Sequence, residues 1–141
     1  MSTTPLQERF DEGIRRYEAG ESPATLLPLF LDIAQKQPKN GPALTCLAWL
    51  YLLAADAPKA LKAAKQAVKL APADAQSHVN LALALLETGQ KGVREAIERA
   101  QQIVQIDGEQ GKEVRKNCEE GLVRRPDWKA MLKVRNWLFE S

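Results

Sequence analysis

At 141 residues, 45% hydrophobic and 27% charged, the chain has the composition of a soluble globular protein with one continuous core and is too short for two. Twenty basic residues against eighteen acidic leave a formal charge of +2, too weak a field to demand nucleic acid or an anionic membrane. Cys46 and Cys118 stand too far apart for a zinc knuckle or a dense disulfide framework, and they fit a reducing, cytoplasmic setting.

The N-terminus, MSTTPLQERFDEG, lacks the basic flank and apolar run of a secretory signal. A first helix is expected from Pro5 to Ala19, where Leu6, Phe10, Ile14 and Tyr17 recur at helical spacing and Gly20 offers a left-handed end. Ser22 and Pro23 then supply an N-cap and first-turn proline for a second helix to about Gln37, which Pro28 should kink or restrict to its opening turns. The same grammar predicts helices over Pro42 to Ala55 and Pro58 to Leu70, the latter capped by Asp56, and over Ala75 to Thr88 and Gly92 to Ile106. The longest nearly uncharged stretch, Gly41 to Ala55, is shorter than the roughly 20 residues of a membrane span. Beyond Glu109, two further helices divide at Arg125-Pro126-Asp127, and the last should carry Trp128, Met131, Leu132, Arg135 and Leu138 as a stripe.

These helices fall into a repeat. Tyr17, Tyr51 and Leu85 are 34 residues apart, Phe10, Leu44 and His78 share the spacing, and Pro38 and Pro72 repeat it again. The middle repeat carries Leu44, Leu47, Ala48 and Tyr51 on its first helix, Ala60, Ala64 and Ala67 on its second, and Pro72 at its end. In this the chain resembles the tetratricopeptide-repeat family, whose small residues let paired helices approach closely. The first repeat has Gly13 and Ile14 where the small residue is displaced by one position, and the third places Ala96 and Ala100 two residues late. The resemblance implies an all-α, right-handed α-solenoid forming one domain over residues 1–141. Its three helix-turn-helix repeats cover about 5–38, 39–72 and 73–108, with a two-helix C-terminal cap over 109–141.

The same resemblance implies a concave groove, lined by inner helices, that holds an extended or helical segment of another protein. Groove positions would be Glu8, Asp11, Arg15 and Glu18, then Thr45, Trp49, Leu52 and Leu53, then Val79, Asn80, Leu83, Leu86 and Glu87. The helix ALTCLAWLYLLAA is apolar around its whole circumference, and VNLALALL nearly so, which demands cover on both faces. Three covers are open: the C-terminal helix with Trp128 and Trp137 folding back, a partner's amphipathic helix, or a second copy joined through the groove or the C-terminal helix. Capture of a chaperone C-terminal carboxylate, known in the family, is disfavoured because Asp11, Glu12, Cys46 and Gln76 occupy most of the equivalent places.

Catalysis is not expected, nor a cofactor or small-molecule substrate. His78 is the only histidine and has no acidic or cysteine partner at triad or ligand spacing, so it reads as structural. The glycines at 108, 111 and 121 form no phosphate cradle, and Lys59, Lys62, Lys65 and Lys69 read as a solvated outer face. Between Lys112 and Arg135, eight basic residues against four acidic ones give a local +4. Arg124, Arg125, Lys129 and Lys133 therefore offer an alternative basic surface for nucleic acid or anionic membrane, though a solvated cap with core tryptophans is the simpler reading.

Overall fold

The computed structural model describes residues 4–140; residues 1–3 and 141, which the single domain read from the sequence includes, lie outside them. The described residues form eight helices and no strands: α1 (Pro5–Glu18), α2 (Pro23–Lys36), α3 (Gly41–Leu53), α4 (Ala57–Leu70), α5 (Ala75–Glu87), α6 (Val93–Ile106), α7 (Gly108–Arg124) and α8 (Lys129–Phe139). None of these helices is long and apolar enough to cross a membrane.

Local chemistry accounts for the boundaries. Thr4, Ser22, Asn40, Asp56, Asp74 and Asp107 each accept the backbone N–H three residues on, satisfying a donor that the first helical turn leaves free. Prolines occupy the first turns of α1 to α4, where no N–H is needed. Pro28 does not end α2, which continues to Lys36; the proline lies on the solvent side while Leu26, Phe30, Ile33 and Ala34 hold the opposite side in the core. The turns within the first three helix pairs repeat closely. Gly20, Ala55 and Gly89 take φ of 96°, 60° and 68°, each followed by a residue whose N–H reaches back to the carbonyl of Arg16, Tyr51 or Leu85. Ala55 is the only non-glycine among the described residues in this left-handed region.

The pairs α1–α2, α3–α4 and α5–α6 stack in sequence, each inner helix lying against the outer helix before it. Small residues set the spacing. A Cβ at Gly13 would lie 2.7 Å from the Phe30 ring, so the displaced glycine of the first repeat is what allows α1 onto α2. Ala48, Ala60, Ala64 and Ala67 are wholly buried in the middle of the stack.

The last two helices do more than close the end. Near the start of α7, Gln110 accepts from the Ala75 N–H at 2.7 Å and donates to the Ala73 carbonyl. Midway, Asn117 donates to Gln76. At its far end Arg124 donates to the carbonyls of Tyr17 (2.8 Å) and Glu21 (3.0 Å), and Arg125 to that of Leu52 (2.6 Å). Thus α7 crosses the concave side from the beginning of α5 to the ends of α1 and α3, where guanidinium groups satisfy terminal carbonyls. Behind it α8 packs on α5, α6 and α7. Trp128, 1% exposed, lies 5.6 Å from Trp49 at an interplanar angle of 44°. A Cβ on Gly121 would come within 3.0 Å of both indoles, so a glycine is what lets α7 settle against them.

Two stability changes follow. Trp128→Ala empties the centre of this closure and is expected to cost about 3–5 kcal/mol. Ala55→Gly relieves a left-handed alanine at an exposed turn and is expected to add about 0.5–1 kcal/mol, less than the full strain because glycine also loosens the unfolded chain. Urea denaturation followed by circular dichroism measures both; a stability loss in the glycine variant contradicts the strain.

Candidate functional site

The apolar trough read from the sequence is filled by the chain itself. Trp49, Leu52, Leu53, Val79 and Leu83 are buried in one cluster with Val114 and Cys118 of α7, Trp128, and Met131, Val134 and Leu138 of α8. Of the three covers considered, the intramolecular one is present, with two differences. Trp128 is the tryptophan that enters, while Trp137 stays 41% exposed on the outer side of α8. The cover is shared with α7, whose Val114, Cys118 and Gly121 recur at helical spacing and face inward.

The expected groove residues are corrected accordingly. Leu52, Leu53, Val79 and Leu83 are core and offer no open face, Trp49 is core except for an edge that reaches the cleft between α1, α3 and α7, and Leu86 is half-buried at the margin of the same cluster. Asn80 is fully buried and acts as a tie: its amide donates to the Thr45 carbonyl at 3.1 Å and its oxygen accepts from Gln76, which accepts from Asn117 in turn. Arg15 is exposed and paired with Glu12 at 2.5 Å, on the side of α1 that borders Thr25 and Leu29 of α2. Asp11 is half-buried and accepts from Gln7. The four cations of the alternative basic surface separate: Arg124 and Arg125 turn inward onto carbonyls, and Arg125 also meets Glu87 at 3.3 Å, whereas Lys129 and Lys133 stay exposed on α8. His78 is buried, its Nε2 donating to the Pro72 carbonyl at 2.8 Å, since a carbonyl can only accept.

A hollow of about 260 Å³ persists between α1, α3 and α7. Ile14, Tyr17, Phe30, Cys46, Trp49 and Leu50 form its floor and walls. Thr45, Gln76 and Asn117 close one end through the amide ladder just described. Near the other, the Arg124 guanidinium lies 4.2 Å over the Tyr17 ring. Glu18 of α1 and Glu113, Lys116 and Glu120 of α7 complete the lining, three glutamates against one lysine. Of the residues expected in the groove, Thr45, Trp49 and Glu18 line this cleft. Ile14, Tyr17, Cys46 and the α7 residues escaped the sequence reading because the tail was placed at the end of the stack instead of across it.

Polar groups at the floor are held in fixed states. Trp49 Nε1 donates to the Tyr17 hydroxyl at 2.9 Å, which leaves that hydroxyl a proton to offer. Burial pushes the Tyr17 phenol above its usual range, opposed by the Trp49 hydrogen bond and the Arg124 charge. Burial, with the Asp74 carboxylate adding to it, pushes the Cys46 thiol up to about 12; burial and Glu119 do the same for Cys118.

No protein-family model matches the chain, and no curated protein does. Among solved structures 41 chains match. One, described as the MamA RS-1 ArsTM double mutant, shares 22% sequence identity with a TM-score of 0.61, covering 99% of this chain and 76% of that one. Likeness at this identity is a likeness of fold. Together with the eight stacked helices it shows an all-helical repeat fold shared with that structure.

A raised thiol pKa favours the protonated form, so both cysteines are expected to be sluggish nucleophiles. At pH 8 a thiol titrating at about 12 is roughly one part in ten thousand thiolate. Alkylation by iodoacetamide, followed by mass spectrometry, should run on the order of a thousandfold slower than for free cysteine. Rapid labelling of Cys46 means that its thiol is not desolvated.

Proposed function

We propose that the chain is a protein-interaction scaffold with no catalytic activity of its own, and that it docks a segment of a partner protein at the cleft between α1, α3 and α7. The tetratricopeptide-like fold supports an interaction role in general, and the cleft supports the place. The observation that carries the reading is an apolar, aromatic-lined hollow left open on the concave side after the chain has covered the rest of that side. Leu44, Leu47, Leu52, Leu53, Val79, Leu83 and Leu85 of the inner helices are enclosed by the fold.

The size of the hollow limits the mode of docking. A helix is about 10 Å across with its side chains. At about 260 Å³ the cleft cannot hold a whole helix along the stack, but it can receive one or two large side chains from a segment lying over its mouth. The partner thus inserts an anchor, and the rest of its segment rests on the rims of α1 and α7. An anchor in a desolvated pocket is the feature that dominates affinity at interfaces.

Blocking variants test this. Cys46→Phe fills the floor and Ile14→Lys places a charge in it, while Lys65→Glu alters only the exposed face of α4. Affinity capture from native extract, with circular dichroism as a check on folding, should show a partner retained by the parent chain and by Lys65→Glu. Both cleft variants should lose it, by about tenfold or more. Equal retention by all four proteins removes the cleft from the interaction.

A further inference from the structure

We infer that the segment docking in this cleft carries one large apolar anchor flanked by basic residues. The inference rests on the reading of the cleft as a protein-docking site and adds the chemistry of the occupant. Ile14, Tyr17, Phe30, Trp49 and Leu50 offer apolar and aromatic surface with the Tyr17 hydroxyl as a donor among them. A volume of about 260 Å³ lies under the roughly 300–1,000 Å³ usual for a drug-sized ligand and suits a single Phe, Leu or Met-sized insertion with a neighbour.

The flanking charge follows from the lining. Glu18, Glu113 and Glu120 stand against Lys116, a net of −2, and none of the three carboxylates forms an ion pair among the described residues. The fold treats comparable acids differently: Glu21 pairs with Arg16, Asp32 with Arg9 and Glu87 with Arg125. Arg124, at the end of the cleft, has its N–H groups taken by the Tyr17 and Glu21 carbonyls, and counting its charge the balance around the mouth is still −1. A segment laid over the mouth removes water from the three carboxylates, which is unfavourable unless it brings positive charge to them. An acidic segment would meet like charge on both rims.

Nuclear magnetic resonance titration of the full chain tests the assignment with three blocked tetrapeptides: acetyl-Lys-Phe-Leu-Lys-amide, acetyl-Glu-Phe-Leu-Glu-amide and acetyl-Lys-Ala-Ala-Lys-amide. The first should shift the Trp49 indole N–H and the Cys46 and Asn117 amides, binding roughly tenfold tighter than the second at low salt, with the gap narrowing as salt is added. The third, without an anchor, should leave these signals in place. Glu18→Lys with Glu120→Lys should reverse the preference between the first two. If the acidic peptide binds as well as the basic one, docking stands and the basic flank is wrong. If neither moves the cleft signals, both the docking site and its occupant are wrong. If dilution of the chain alone moves them, the occupant is a second copy and the inference fails.

Discussion

The structure depends on covering the apolar concave side of the stack. A helix such as α3, with Leu44, Leu47, Trp49, Leu50, Leu52 and Leu53 all buried, cannot rest against one neighbour only. The chain supplies the missing cover from its own C-terminal segment, and contact among Trp49, Gly121 and Trp128 is where that cover is tightest. Burying two indoles and the leucines around them removes several hundred square ångströms of apolar surface from water, worth on the order of 10 kcal/mol before entropic costs. A stack of three helix pairs without this segment would expose a patch that water-soluble monomers avoid.

The polar features around the cover serve the same end. Arg124 and Arg125 lie where α1 and α3 finish, so they satisfy carbonyls that the ends of those helices leave without intrahelical partners. Their aliphatic and planar parts stack on Tyr17 and Trp128. The Asn117, Gln76, Asn80 and Thr45 ladder ties α7, α5 and α3 across the other end of the cleft. Basic residues that a sequence would assign to a surface are in this way structural, and the local excess of positive charge in the tail does not become a single exposed patch.

The cleft is a by-product of the crossing geometry. Because α7 runs from the start of α5 to the ends of α1 and α3, its hydrogen bonds to α5 lie at its start and middle and those to α1 at its far end only. The space between α1 and the middle of α7 is left as a hollow whose floor is core-like and whose mouth is acidic. Used for docking as proposed, a hollow of this size takes a short anchor more readily than a long helix, and carboxylates left without ion pairs would set its charge preference.

The repeat and its helix pairs were legible in the sequence because they depend on local signals: a 34-residue spacing, N-caps at Ser22 and Asp56, first-turn prolines, and a glycine at the first turn. Even the departures were readable, since Gly13 in place of a leucine marks where α1 meets Phe30. The demand that Trp49 and Leu83 be covered was also written there, in helices apolar on every side. What answered the demand was not. Val114, Cys118 and Gly121 carry an inward stripe in a helix that is otherwise charged, too sparse to reveal by itself which face of the stack receives it. The placement of α7 across the concave side, the inward turn of Arg124 and Arg125, and the small acidic cleft left beside α1 arise from contacts between residues some seventy to a hundred positions apart. Sequence determined the helices and their pairing, because helical periodicity and capping act within a few residues. Tertiary structure alone decided what occupies the groove, because that depends on shape and charge meeting across the whole chain.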